Sequence, residues 1–100
     1  MFTVRKTPAF DAWLLTLADL RARAKILMRL NRAERGNLGD CAPVGEGVSE
    51  MRIDFGPGYR VDFLQRENGI DVLAGGDKSS QRGDIKKALA LAREVKEQDQ

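Results

Sequence analysis

The fold is decided by the stretch Gly47-Val-Ser-Glu-Met-Arg-Ile-Asp-Phe-Gly-Pro-Gly-Tyr-Arg-Val-Asp-Phe63, followed later by Gly75-Gly-Asp-Lys-Ser-Ser-Gln81. Polar and apolar residues alternate on both sides of Gly-Pro-Gly, which is the pattern of two antiparallel strands joined by a turn. One face of this strand pair is apolar, and the other face carries Arg52 and Arg60. The stretch therefore predicts a sheet with an arginine-bearing face open to solvent, where the functional site is expected.

The sequence before this stretch predicts one strand and two helices. Alternation over residues 2–6 indicates the strand, and Thr7 with Pro8 supplies the cap and first position of a helix. Asp19 caps a second helix, which Gly36 ends. A short connection makes the two helices a helical hairpin. Their apolar stripes are expected at Phe10, Trp13, Leu14 and Leu17, and at Leu20, Ala24, Leu27 and Leu30.

The rest of the sequence predicts a loop, three strands and a last helix. Residues 36–47 have no periodicity and are rich in turn formers, which indicates a loop. Asn68-Gly69 predicts a tight hairpin that leads into a strand over residues 70–74. Ser79 or Ser80 caps the last helix, whose apolar stripe is Ile85, Ala88, Leu89, Ala92 and Val95. The predicted fold class is α+β, in the order β-α-α-β-β-β-α, with a small antiparallel sheet packed against helices.

Length and composition limit the possible classes of protein. The chain has 100 residues, of which 42% are hydrophobic and 32% are charged. These values predict one globular domain over residues 1–100 with a small core. The apolar runs are far shorter than the roughly 20 residues that span a bilayer, and the first residues lack the apolar region of a signal peptide. We therefore expect a cytoplasmic protein with no membrane partner.

Several kinds of catalytic site are excluded by residue type. Histidine is absent and Cys41 is the only cysteine, which removes Ser-His and Cys-His nucleophile pairs, the usual zinc ligand sets and an intramolecular disulfide. The segment after Gly75 is not a nucleotide-binding phosphate loop, because Asp77 stands before Lys78 where that loop requires glycine. No cluster of carboxylates suggests a metal ion. No metal or cofactor is expected.

Charge is distributed unevenly, although the net charge is only +2. Residues 1–35 carry eight Lys/Arg against three Asp/Glu, residues 36–72 three against seven, and residues 73–100 six against five. The basic first third, concentrated on the second helix, suits an acidic partner or phosphates. A solvated helix face explains the same pattern.

The candidate site on the strands consists of Arg52, Arg60 and Lys78. Two guanidinium groups on neighbouring strands suit a phosphate or an RNA backbone. Lys78 follows the last strand, where a loop meets a helix N-terminus whose free N–H groups favour anions. The alternative is structural: Lys78 is an ordinary exposed lysine, and the arginines pair with the intervening carboxylates Glu50, Asp54 and Asp62.

Three blocks, in this order, carry a family resemblance: Phe2-Thr-Val-Arg-Lys-Thr-Pro-Ala-Phe-Asp-Ala-Trp-Leu14, residues 45–61, and residues 75–81 with Asp84-Ile85. Together they resemble the HigB-like addiction-module killer proteins of the RelE/ParE toxin superfamily. The resemblance covers nearly the whole chain, and the predicted order of elements is also the order found in that superfamily. A RelE/ParE-like fold is the expectation that follows.

The resemblance implies a toxin of a type II toxin–antitoxin system. Its antitoxin is commonly encoded beside it and often contains a helix-turn-helix domain. The activity it implies is ribosome-dependent endonuclease cleavage of messenger RNA, which inhibits translation and growth. Such cleavage uses the ribose 2′-hydroxyl as nucleophile and needs no metal or cofactor. Inhibition of DNA gyrase, and a catalytically weak partner-binding module, remain the alternatives.

In such a nuclease, Arg52, Arg60 and Lys78 would be the catalytic residues that stabilise charge on the phosphate, with Lys78 also able to move a proton. Tyr59 would transfer a proton or stack on a base, although strand alternation places it on the core side. Ser80 and Gln81 would hydrogen-bond RNA, and capping explains Ser80 equally well. The antitoxin would cover either the cationic second helix or the Arg52/Arg60 face.

Asp62 departs from the pattern of this superfamily. Relatives often carry an aromatic residue, typically tyrosine, between the positions of Val61 and Phe63. An acidic group on an RNA-facing surface repels phosphate, unless it serves as a base. Asp62 therefore predicts altered targeting or a weakened toxin.

Overall fold

The computed structural model describes residues 2–98 as five strands and three helices. The strands are β1 (Thr3–Lys6), β2 (Cys41–Gly45), β3 (Val48–Ile53), β4 (Tyr59–Arg66) and β5 (Gly69–Asp77). The helices are α1 (Pro8–Thr16), α2 (Leu20–Glu34) and α3 (Gln81–Gln98). The chain is α+β as predicted, with one strand more than the sequence pattern indicated.

The five strands form one mixed sheet in the order β1-β5-β4-β3-β2. The predicted meander of β3, β4 and β5 is confirmed, but β1 runs parallel to β5, so the sheet is not purely antiparallel. β2 pairs with β3 inside the segment predicted as a loop, and that prediction was wrong. An edge strand tolerates Pro43 and needs no regular alternation, because only one of its sides carries a ladder.

The hairpin between β4 and β5 turns one residue earlier than predicted. Arg66 pairs with Gly69, which leaves Glu67 and Asn68 as the turn. Gly69 is required for a different reason: a Cβ atom there would overlap the carbonyl oxygen of Thr3 on the neighbouring β1. The glycine therefore permits the close approach of two strands and does not supply the turn conformation.

The predicted starts of α1 and α2 are confirmed by their caps. The hydroxyl of Thr7 accepts a hydrogen bond from the N–H of Phe10 at 3.2 Å, and a carboxylate oxygen of Asp19 accepts one from Arg21 at 2.9 Å. Each side chain satisfies a backbone donor that the first turn leaves unpaired. No helix within residues 2–98 is long and apolar enough to cross a membrane.

Helices cover both faces of the sheet and create two cores. On one face, α1 and α2 pack against the sheet, and the buried residues are Phe10, Ile26, Leu30, Ala33, Met51, Ile53, Val61, Phe63, Ile70 and Val72. On the other face, α3 packs on Val48, Leu64, Leu73 and Ala74 through Ala88 and Ala92. The prediction of an open arginine-bearing face was therefore wrong over most of its area, because α3 covers it.

The apolar stripe predicted for α1 is confirmed, but α2 is rotated relative to its prediction. Buried positions on α2 are Ala22, Ile26, Leu30 and Ala33. Leu20, predicted to be buried, is 71% exposed, and Leu27 is 37% exposed. Ala22 and Ala33 are fully buried, and close packing at these two positions leaves no room for a leucine. Close packing therefore selected a face that hydrophobicity alone did not indicate.

Candidate functional site

A groove of about 300 Å³ lies where β3 ends, β4 begins and the loop after β5 leads to α3. The groove brings together four of the residues predicted for the site, namely Arg52, Tyr59, Arg60 and Lys78. Its other lining residues are Asp40, Ile53, Asp54 and Gly58. The three predicted catalytic cations thus share one cavity, whereas Asp62, Ser80 and Gln81 do not line it.

Arg52 and Arg60 are direct register partners across β3 and β4. Like charges at this spacing repel unless each finds a counter-charge. Arg60 is paired with Glu50, with Nη1 2.7 Å from Oε1, and Nε of Arg52 lies 3.7 Å from Oδ1 of Asp40. The ion-pair alternative is therefore confirmed for Arg60 and Glu50, while Arg52 is paired with a residue outside the strands.

The backbone of Arg52 is fixed, but its side chain is not. Its carbonyl accepts a hydrogen bond from Nη1 of Arg29 at 2.5 Å, and its N–H donates to the carbonyl of Asp40 at 2.9 Å. Its side chain is 42% exposed and lines the groove, and the 3.7 Å separation between its Nε and Asp40 is longer than a hydrogen bond. The exposed part of the guanidinium group therefore keeps donors available for an anion in the groove.

Arg60 is held by a buried carboxylate. Glu50 is 4% exposed, and besides Arg60 it accepts hydrogen bonds from Nε2 of Gln81 at 2.8 and 3.0 Å. Charge-assisted bonds of this kind fix the orientation of a guanidinium group. Gln81, predicted to contact RNA, instead positions Glu50 from the first turn of α3. The sequence pattern indicated Glu50 only as an ion-pair partner, since alternation cannot show that a helix buries it.

Lys78 is exposed at the rim of the groove, in the short loop between β5 and α3. The loop is fixed by Asp77, whose carboxylate accepts bonds from the hydroxyl of Ser79 at 2.5 Å and from its N–H at 2.8 Å. The side-chain bond from Ser79, followed by the backbone bonds, lowers the pKa of Asp77 below its ordinary value. The predicted position of Lys78, directly after the last strand, is confirmed.

Ser80 is engaged in the start of α3. Its hydroxyl accepts from the N–H of Asp77 at 3.1 Å and donates to Oδ2 of Asp84 at 2.5 Å. Its carbonyl accepts the N–H of Asp84 at 3.0 Å, as the residue before a helix does. The structural explanation therefore accounts for Ser80, and the predicted RNA contact has no support from its position.

Tyr59 lies between the core and the groove. Its ring packs edge-on against Trp13, with centroids 6.2 Å apart, and the residue is half-buried. It also lines the groove beside Arg60. Both predicted environments of Tyr59 are therefore present, with one part of the ring in the core and another available to a ligand.

Asp62 is not on an RNA-facing surface, and that prediction was wrong. The residue is 1% exposed beneath α3, and neither carboxylate oxygen has a hydrogen-bond partner among residues 2–98. Burial, reinforced by the negative charges of Glu50 and Asp84 and opposed by Arg60, raises the pKa of Asp62 to about 7. The carboxyl group therefore takes up a proton far more readily than an ordinary aspartate.

A second, smaller cleft of about 150 Å³ adjoins the groove and shares Ile53 and Asp54 with it. Its other lining residues come from α2: Lys25, Met28, Arg29 and Arg32. Lys25 also lies over the ring of Phe55, with its Nζ 5.8 Å from the centroid. Cationic side chains thus continue from the groove onto α2. Within residues 2–98, no group of carboxylates or cysteines is arranged to hold a metal ion.

No family model matches the chain, and no solved structure matches it. An uncharacterized protein of Haemophilus influenzae is 50% identical over 94 residues, which cover 92% of this chain and 94% of that protein. Identity at this level over almost the full length of both chains implies a common fold and common descent. The chain belongs to the same family as this uncharacterized Haemophilus influenzae protein.

Proposed function

We propose that this chain is the toxin of a type II toxin–antitoxin system, with a RelE/ParE-like fold, and that it cleaves messenger RNA on the ribosome. The observation that carries the proposal is the groove that gathers Arg52, Arg60 and Lys78 beside the ring of Tyr59. Three cations and an aromatic ring around one cavity suit a phosphodiester and the base next to it. The toxin would act in the cytoplasm, where ribosomes translate.

The groove supports cleavage by charge stabilisation and proton transfer. The ribose 2′-oxygen would attack phosphorus, the bond from phosphorus to the 5′-oxygen would break, and a cyclic phosphate would form. Arg52 and Lys78 would bind the non-bridging oxygens, where negative charge develops. Arg60, oriented by Glu50, would hold the phosphate in line with the attacking oxygen. Asp54, exposed in the same groove, would accept the 2′-hydroxyl proton, and Lys78 would supply one to the leaving oxygen.

The experiment expresses the chain alone and maps transcripts during growth arrest. Lys78→Ala and Arg60→Ala should each reduce cleavage by about 10²–10³-fold, the usual effect of losing one charge-stabilising donor. Lys86→Ala, which removes an exposed cation from α3 outside the groove, is the matched control and should leave cleavage intact. Circular dichroism of each purified variant checks its folding. Unchanged toxicity in both groove variants refutes the proposal.

A second candidate function is inhibition of DNA gyrase, and one observation weakens the nuclease relative to it. The pairing of Arg60 with the buried Glu50 neutralises one of the three groove cations, which reduces the positive potential that a reacting phosphate would meet in the groove. Expression of a gyrase inhibitor would trigger DNA-damage signalling while transcripts remain intact. Rapid, site-specific loss of messenger RNA excludes this candidate, and the absence of any growth effect would leave only a non-toxic partner-binding module.

The partners that the proposal requires are the messenger RNA, the ribosome and a cognate antitoxin. The antitoxin is expected to be encoded beside this chain and to contain a helix-turn-helix domain. Co-expression of the neighbouring gene should relieve growth arrest. Relief by that gene, together with arrest in its absence, is the combination that the proposal predicts.

A further inference from the structure

The outer face of α2 carries an apolar ridge that no other part of residues 2–98 covers. Leu20 is 71% exposed, Met28 is 51% exposed and Leu27 is 37% exposed, while Ala24 between them is also exposed. Leu20, Ala24 and Met28 follow one another at intervals of four residues, so they form a continuous ridge inclined to the helix axis. The large-small-large order leaves a notch over Ala24 that can receive a side chain from a partner.

Cations border this ridge along one side. Arg21, Lys25 and Arg32 are exposed, and their helical positions place them beside Leu20, Ala24 and Met28. On the other side, Arg23 is turned away and donates to the carbonyls of Leu17 and Leu15 at 2.7 and 3.0 Å. An apolar row with positive charge on one flank fits an amphipathic helix whose apolar row is flanked by Asp or Glu.

A second copy of this chain fits this surface less well than an acidic partner does. A two-fold contact with antiparallel α2 helices would place the cations beside the ridge close to the same cations of the partner. Their repulsion would oppose the small gain from burying four side chains. A partner with acidic residues converts the same charges into attraction and accelerates the encounter.

We infer that the exposed ridge of α2 is the docking surface for an acidic amphipathic helix of the antitoxin. The inference rests on the proposed function for the identity of the partner, and it selects α2 over the arginine-bearing groove as the anchor. Met28 and Arg32 also line the cleft that adjoins the groove through Ile53 and Asp54. A helix seated on the ridge would thus lie next to the groove and could block it without direct contact with Arg60.

The test uses the full chain and the purified protein encoded beside it, with binding measured by titration calorimetry. The double variant Leu20→Ser/Met28→Ser should weaken binding at least about tenfold, because two apolar contacts are lost. Arg21→Glu/Arg32→Glu should weaken it by a similar factor and slow association, most strongly at low salt. Lys86→Glu/Lys87→Glu, an equal charge reversal at exposed positions of α3, should change binding less than about twofold. All six positions are exposed, so each variant should keep its melting temperature.

Several outcomes would overturn the inference. These are normal binding by both α2 variants, failure of the neighbouring protein to bind, or a chain that dimerises through α2 in sedimentation experiments. Binding of phosphatidylglycerol vesicles that both α2 variants abolish, with protein binding unchanged, would assign the ridge to a membrane surface. RNA cleavage by the α2 variants without the partner separates the docking proposal from the nuclease proposal. If the α2 variants still cleave RNA and still bind the partner, only the docking surface is refuted. If the α2 variants lose partner binding but the natural chain never cleaves RNA, only the nuclease is refuted.

Discussion

Replacing Asp62 by asparagine should remove a strong dependence of stability on pH. The residue is 1% exposed, and within the described part of the chain its carboxylate oxygens have no hydrogen-bond partner. Around it lie Glu50 from β3, Asp84 from α3 and Arg60 from β4, and two of these three groups repel a negative charge. Burial is the largest cause of the shift. An asparagine at this position would keep the shape of the side chain without the ionisation.

The size of the effect on stability follows from the difference between the pKa of Asp62 in the folded protein and its pKa in the unfolded protein. The pKa of Asp62 rises from 3.8 to about 7 on folding, a shift of about three units, and each unit is worth about 1.4 kcal/mol. Below about pH 4, Asp62 is protonated in both the folded and the unfolded protein, so its ionisation does not lower the free energy of unfolding. Between about pH 4 and pH 7 only the unfolded chain releases the proton. The free energy of unfolding should therefore fall by up to about 4 kcal/mol over this interval and stay level above it. In Asp62→Asn this fall is absent, although burying an amide costs about 1–3 kcal/mol at every pH.

Urea unfolding near pH 5 and near pH 8, followed by the fluorescence of Trp13, measures the effect directly. Trp13 is the only tryptophan and packs against Phe10 in the core, with ring centroids 5.8 Å apart. Between pH 5 and pH 8 the free energy of unfolding should fall by about 2.7 kcal/mol, because about two of the three pH units of the shift lie in this interval. With a slope of about 2 kcal/mol per molar urea, this change moves the midpoint by about 1.3 M. Asp54→Asn, at an exposed carboxylate, is the control and should shift stability by less than about 0.5 kcal/mol. A difference between Asp62→Asn and the natural protein that is the same at both pH values would refute the reasoning.

The remaining predictions concern the support of the groove and the packing of the sheet. Glu50→Gln should destabilise the protein by about 3 kcal/mol in urea unfolding, because the guanidinium of Arg60 stays largely buried without its counter-charge; equal stability of variant and natural protein would show that the pair is dispensable. Gly75→Ala should cost about 1–3 kcal/mol, since a Cβ there overlaps the ring of Trp13, and a large shift in the fluorescence of that ring should accompany it. Gly83→Ala is the matched substitution on α3, where the added Cβ would meet no described atom outside the adjoining helix backbone within 4 Å. It should raise the free energy of unfolding by about 0.5–1 kcal/mol. Destabilisation of equal size in both variants would contradict the steric argument.

Local rules predicted the parts of the fold whose causes are local. The cap at Thr7, the proline at position 8 and the cap at Asp19 placed two helix starts, because such signals act within one turn. The Gly-Pro-Gly turn and strand alternation placed β3 and β4 with their apolar residues toward one core. Lys78 was placed correctly beside the groove for the same reason, since it directly follows a strand.

Long-range contacts decided what the patterns missed. β2 exists because β3 offers a free edge, and the outward rotation of Leu20 follows from close packing by Ala22 and Ala33 against other elements. Apolar residues recur on two faces of α2, and only the approach distance to the sheet distinguishes the buried face from the exposed one.

The fold class, the meander and the cations at Arg52, Arg60 and Lys78 can be read from the order of residues. Their environments depend on tertiary packing, because alternation reports which side of a strand a residue occupies and not what covers that side. When α3 packs over the sheet, it buries Asp62 beside like charges and covers the ion pair of Arg60 with Glu50. Arg52 stays partly exposed in the groove at the end of β3. The cost of taking a charge out of water depends on that covering layer, and so does the chemistry available to each group.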